Sequence, residues 1–278
     1  MPLAYYSVAA RREFWTEHWG GHSVEELLAI ARRSPLTALI TRALPADGLI
    51  LEAGCGLGQY VLLLRERGWR VAGVDWSLEP LATCRRVAAA PLAVMELRTL
   101  AIPDGALAGY ISLGVVEHDA RGPDAILAEA QRVLAPGGVL VVSVPYVNGA
   151  RRLAAPWIRR RNRALARIGG EFYQYAFSRA ELMVALARHG FIARSAHPYD
   201  PARLLRQATR RVLRRRSRTA RGGAGSRASV ASSERIRPSP GRDERRRGRV
   251  AEAVRRLLYT EPALRLLGHM LLVVARKA

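Results

Sequence analysis

Leu51-Glu52-Ala53-Gly54-Cys55-Gly56-Leu57-Gly58 is the stretch on which the reading of this 278-residue chain turns. A short apolar run over residues 49–53 ends in three glycines spaced two apart. A helix-forming segment, residues 60–67, follows until Gly68 stops it. Glycine has no Cβ, so such a strand-to-helix turn lets the backbone approach a ligand closely. The spacing narrows the ligand class. A dinucleotide fingerprint, G-x-G-x-x-G, would place its third glycine at position 59, where this chain has Gln59.

Outward from this turn the chain alternates strands and helices. Strands are predicted over residues 70–75, 93–97, 109–116 and 139–144, the last after Pro136-Gly137-Gly138, with helices over 78–89 and 124–134 between them. That rhythm gives parallel βαβ units in a doubly wound sheet. Farther on, a helix over 179–189 is closed by Gly190, and strands follow over 191–197 and 268–275. Residues 171–177 read as an aromatic-rich linker. Residues 1–44 read as amphipathic and helical, with Ser23 as N-cap, Glu26 at capping-box spacing, and a second short helix after Pro35.

The glycines at 54, 56 and 58, preceded by Glu52, resemble motif I of the class I S-adenosylmethionine-dependent methyltransferases. Four further segments match that family in order. Gly73-Val74-Asp75-Trp76-Ser77 ends the second strand in a carboxylate that can accept from both ribose hydroxyls; an N-cap for the next helix is the competing role. Glu96 to Pro103 resembles the stretch whose acid contacts the adenine amino group, with Glu96 in place of the usual Asp and the main chain of Leu97 as a substitute; a solvated Glu96 is the alternative. Ser112-Leu113-Gly114-Val115-Val116-Glu117-His118 resembles the E-H signature of the type 11-like group, which includes quinone and small-molecule methylating enzymes. Residues 129–145 match the family's helix, Pro-Gly-Gly turn and fifth strand.

The resemblance covers residues 13–200 and resumes at 266–277. It implies an α/β, Rossmann-like doubly wound sheet of seven strands, mostly parallel with one antiparallel strand near the edge, and helices on both faces. It implies S-adenosylmethionine as cofactor, held by Glu52, Gly54, Cys55, Gly56, Gly58, Asp75, Trp76, Glu96, Leu97 and Leu113. The domain plan is a helical lid over 1–44, a methyltransferase core over 45–200, an Arg-rich insert over 201–257, and a last helix and strand over 258–278. The reaction is methyl transfer to an O, N or C atom of a small-molecule acceptor, lipid-like and secondary-metabolite acceptors included. A hydroxyl acceptor would benefit from a general base; His118 is the best-placed candidate, with packing beside the cofactor or substrate as its alternative role, and His18 is a second. Tyr5, Trp15, His18, Trp19, Tyr146 and Tyr173 are the candidates for the acceptor pocket; core packing is the competing role for the aromatic rings of the first segment.

Charge is the other outstanding feature. The net charge is +22, and of 45 basic residues only Lys277 is a lysine. Residues 201–257 hold 19 arginines and four acids, so an anionic partner comes into view. Nucleic acid and an anionic membrane surface are both candidates, and Arg151 to Arg167 would add to the latter; a solvated linker is the plain alternative. Against nucleic acid, no aromatic lies between Tyr199 and Tyr259 to stack on a base. Strand four also ends in Glu117-His118-Asp119 rather than the Asn/Asp-Pro-Pro-aromatic motif of base-amine methylation. A nucleic-acid methyltransferase and a non-catalytic cofactor-binding protein remain the alternative functions. Two cysteines build no disulfide framework, and no zinc-ligand spacing occurs. With no secretory signal or bilayer-length apolar run, the expected location is cytoplasmic, extending to the membrane periphery.

Overall fold

The computed structural model describes residues 2–7, 12–201, 253–254 and 256–278. The expectations for residues 202–252, a disordered centre flanked by basic helices, lie outside the described residues. In chain order the described elements are β1 (Leu3–Ser7), α1 (Arg12–Gly20), α2 (Val24–Arg33), α3 (Pro35–Ala43), β2 (Leu49–Ala53), α4 (Gln59–Glu66), β3 (Arg70–Asp75), α5 (Leu78–Val87), β4 (Leu92–Val94) and β5 (Leu107–Leu113). There follow α6 (Asp124–Val133), β6 (Leu134–Pro145), α7 (Gly149–Arg167), β7 (Glu171–Ala176), α8 (Arg179–Arg188), β8 (Phe191–Tyr199), α9 (Glu261–Leu267) and β9 (Met270–Lys277).

Seven strands form one sheet in the order β4-β3-β2-β5-β6-β9-β8. All neighbours are parallel except β9, which runs antiparallel to both β6 and β8. The expected Rossmann-like architecture is therefore present, with its antiparallel strand one place in from the edge. Strands buried on both faces explain why the sequence shows continuous apolar runs rather than alternation. Ile50, Ile111, Val139 and Val141 pack into one core beside α4, whereas Leu51, Ala53, Leu140 and Val142 pack into the other beside α6 and α8. The strand order reverses at β2, so the crevice outside the carboxyl ends of β2 and β5 is where this topology leaves room for a ligand.

Local chemistry sets the element ends. Ser23 accepts the Glu26 amide at 3.1 Å to start α2, and Ser34 caps α3 with Pro35 as its first residue. Gly114, at φ +73°, ends β5 three residues before the expected stop. The strand expected at 93–97 is only Leu92–Val94, and residues 95–97 leave the sheet.

Two expectations are corrected. The first residues are not helical: β1 pairs antiparallel with β7, Leu3 opposite Ala176 and Tyr5 opposite Gln174. Residues 171–177 are accordingly not a linker, because their Phe and Tyr residues favour extended backbone once a partner strand is supplied. This ribbon is held by α7, where Asn162 Nδ2 donates to the Ala4 carbonyl at 2.6 Å. No helix among the described residues is long and apolar enough to cross a membrane.

Candidate active site

The glycine turn after β2 is built from positive φ angles, +77° at Gly54, +53° at Gly56 and +70° at Gly58. A Cβ on Gly54 would lie 2.6 Å from Val115 Cγ2, and one on Gly56 would lie 2.4 Å from the Trp19 ring. Beneath the turn, Glu52 Oε2 accepts the Val61 amide at 2.9 Å, an orphan donor in the first turn of α4. Burial pushes the Glu52 pKa up to about 8, so this acid is neutral at pH 7. Across the crevice, Asp75 ends β3. Its Oδ2 accepts the Gly56 amide at 2.9 Å and its Oδ1 the Ser77 amide at 3.0 Å. The two loops are thus joined by a direct hydrogen bond. A carboxylate offers about four acceptor directions, so holding both amides is compatible with meeting a diol.

A cavity of about 630 Å³ opens over these loops, within the range of small-molecule sites. Of the sequence-predicted set, Glu52, Gly54, Cys55, Asp75, Trp76, Glu96, Leu97 and Leu113 line it, as do Trp15, Trp19 and His118. Gly56 and Gly58 do not. Gly56 is covered by Trp19, and Gly58 is the left-handed cap of α4 packed on Cys84. Three more predicted residues lie elsewhere. Tyr5 stands on β1 among Arg151 and Arg161, because that segment is a strand. Tyr146 bridges to Phe177 and borders a separate cleft. His18 sits in an aromatic group with Phe14, Trp15, Trp19 and His22, its side chain turned to solvent. Tyr173 does not line the cavity either; its carbonyl and ring hold His118 from behind.

That support decides the chemistry of His118. Its Nδ1 lies 2.8 Å from the Tyr173 carbonyl. A carbonyl can only accept, so Nδ1 carries the hydrogen and Nε2 presents a lone pair. Trp15 packs edge-on at 4.8 Å and Tyr173 at 5.2 Å between ring centroids. Burial lowers the His118 pKa to about 4, so the ring is neutral at pH 7. Its chain neighbour Glu117 is buried with its pKa raised by burial to about 8; Oε1 lies 3.9 Å from His118 Nε2, and Oε2 has no hydrogen-bond partner among the described residues.

The sign of the resulting pH dependence is fixed. Glu117 is protonated in the folded chain up to about pH 8, but ionises near 4.5 when unfolded. Its contribution is therefore complete below pH 4.5 and is lost as pH rises through 8. Glu117→Gln should flatten the fall of stability between pH 5 and 8 by up to ~1.4 kcal/mol per pH unit, read from denaturant midpoints. Equal slopes in variant and parent would show that the acid is hydrated.

Several lining residues were not anticipated. Gln59 Oε1 is buried against the cavity without a partner among the described residues. Its signal was present, since it fills the place of a dinucleotide glycine. Arg98 forms a bidentate pair with Glu96, 2.9 and 3.0 Å, and reaches Asp119 Oδ2 at 3.6 Å. The pairing pulls the Glu96 pKa down, and it also occupies the carboxylate expected at the adenine. No spacing rule announces this bridge, because it joins loops after different strands.

A sulfonium nucleoside with an amino-acid tail suits this donor set. The orphaned Gln59 oxygen is an acceptor for an ammonium, the Gly54 turn admits backbone approach, and the Asp75 carboxylate faces the same space. Residues 51–142 match the methyltransferase-domain family. Within the core, that segment is thus similar to a methyltransferase domain. The chain is 35% identical over 109 residues to a malonyl-[acyl-carrier protein] O-methyltransferase of Serratia marcescens, covering 39% of this chain and 42% of that one. It is 37% identical over 105 residues to an S-adenosyl-L-methionine-dependent Diels-Alderase of Talaromyces variabilis, covering 34% and 36%. The matches thus span about two fifths of the length of these relatives. In fold, the chain resembles an S-adenosylmethionine-dependent methyltransferase of Archaeoglobus fulgidus, with TM-score 0.55, 17% identity, and coverage of 95% and 99% of the two chains.

Proposed function

We propose that this chain transfers a methyl group from S-adenosylmethionine to an O, N or C atom of a small-molecule acceptor, lipid-like and secondary-metabolite acceptors included. The observation that carries this reading is that one cavity is lined both by the Gly54–Asp75 crevice and by His118 with Trp15. When bound, the cofactor supplies a sulfonium methyl, whose C–S bond breaks as the acceptor's electron pair forms the new bond. Everything else falls to the chain. Asp75 would accept the ribose hydroxyls, Gln59 and the Gly54–Cys55 backbone would hold the amino-acid end, and Leu97 with Glu96 would border the adenine. Trp76 and Leu113 close the sides, and the Gly58 turn sets the start of α4.

Trp15 and Trp19, on the helical part of a lid over residues 1–44, exclude water and align the acceptor. A hydroxyl acceptor donates to His118 Nε2, which takes its proton as the new bond forms. A carboxylate or enolate acceptor is already ionised and needs only orientation. The O-methyltransferase relative supports an oxygen acceptor. The core over 45–200 is completed by residues 258–278, with residues 201–257 outside the catalytic unit.

Calorimetry with S-adenosylhomocysteine tests the cofactor half of this reading; one-to-one binding at micromolar affinity is expected, and no heat of binding would refute it. Turnover of labelled cofactor against a panel of carboxylate, phenol and enol acceptors tests the other half. Cofactor binding without any methyl transfer would favour a non-methylating role for the same site.

A further inference from the structure

Helix α7 rests on the rest of the protein through one side only. Its one buried residue is Asn162, bonded to the Ala4 carbonyl of β1. At 100° per residue, Leu153 stands on the opposite side, and Trp157, Ala164 and Ile168 at the C-cap fall within 60° of Leu153. The large side chains of this stripe face solvent: Leu153 is 84% exposed, Trp157 65% and Ile168 80%. Beside them on the helix are Arg160 and Arg167 on one border and Arg161 on the other, its guanidinium 6.0 Å from the Trp157 ring centroid. Residues 147–170 contain seven arginines and no acid. Farther round, Arg152 and Arg159 border a cleft of about 800 Å³ together with Arg179 and one acid, Glu181, so an excess of positive charge continues past the helix.

A helix on a soluble surface turns charge outward and apolar residues inward. Here the outward face is apolar and its borders are cationic, the arrangement that lies in the headgroup plane of an anionic bilayer. Nucleic acid would engage the arginines but has no use for Leu153 or Ile168. We propose that α7 seats the protein on an anionic lipid surface, with Leu153, Trp157 and Ile168 in the acyl boundary and the arginines among the phosphates. The placement has a consequence for access. α7 packs on β1, whose partner β7 carries the Tyr173 carbonyl that holds His118, so the docked helix sits on the same side of the fold as the acceptor end of the cavity.

The test uses the full chain and vesicles with about one third phosphatidylglycerol in phosphatidylcholine, at roughly physiological salt. Sedimentation should show binding to these vesicles and much less to phosphatidylcholine alone. Leu153→Asp with Trp157→Asp should weaken binding at least tenfold while the circular dichroism spectrum and S-adenosylhomocysteine affinity stay unchanged. Brominated acyl chains provide a second readout: they should quench the parent more than Trp157→Phe, by the share of that one indole. The proposal is overturned if the double variant binds as the parent does, if Trp157→Phe leaves quenching unaltered, or if the parent binds single-stranded RNA and not the vesicles. Vesicle binding and cofactor binding are read separately, so failure of one leaves the other standing.

Discussion

Gly56→Val is expected to weaken S-adenosylhomocysteine binding by at least ~100-fold, about 2.7 kcal/mol, while the chain stays folded. Three effects add at this position. The backbone is at φ +53°, a region a β-branched residue adopts only under strain. The Gly56 amide donates to Asp75 Oδ2 at 2.9 Å, so any relaxation of the turn moves the carboxylate proposed to meet the ribose. The new side chain would also meet the Trp19 ring, 2.4 Å from the position of its Cβ, and push α1 off the crevice. Asp75→Ala should lose binding by a different route, removing the acceptor while sparing the turn's φ angles. Calorimetry on both variants, with melting curves as the control for folding, decides the matter. Near-parental affinity in either would place the cofactor elsewhere.

The second large effect concerns turnover. For a hydroxyl acceptor, His118→Ala should lower kcat by 10²-fold or more, the usual span for a lost general base, with cofactor affinity unchanged. The pH profile distinguishes this role from packing. Because His118 is held neutral, with a pKa near 4, kcat should stay level through the range where an ordinary imidazole titrates. It should fall only as pH drops toward 4, where Nε2 gains a proton and stops accepting. An acid limb near pH 6.5 that vanishes in the variant would contradict the buried geometry, and full activity of His118→Ala would remove the ring from the chemistry.

How much of this was legible beforehand depends on the range of the interactions. β2 and β3 were read at their observed bounds because each is an apolar run cut off by glycine or by an acid at the sheet's end. Asp75 and the glycine turn were legible for the same reason, being local. β7 was missed because its partner β1 lies more than 160 residues earlier in the chain, at Leu3–Ser7, and nothing nearby announces the pairing. That error also misplaced Tyr5, and it hid the Tyr173 carbonyl that selects the His118 tautomer. The Glu96–Arg98–Asp119 wall was invisible for a related reason, since its members come from two crossovers. The capping box of α8, Ser178 with Glu181, is local and therefore legible at its S-x-x-E spacing.

The junction of β8 and β9 bears on how such a chain can diverge. Tyr199 and Met270 are register partners, and the His269 amide donates to the Tyr199 carbonyl at 2.9 Å. The chain therefore leaves the sheet after Tyr199 and re-enters it at Met270 directly opposite, as if the two strands were joined by a tight hairpin. For an unconstrained connection, doubling its length costs only ~0.6 kcal/mol in closure entropy. On that scale an insertion or deletion between the two strands would cost the sheet little, because Tyr199 and Met270 already fix where its ends must meet.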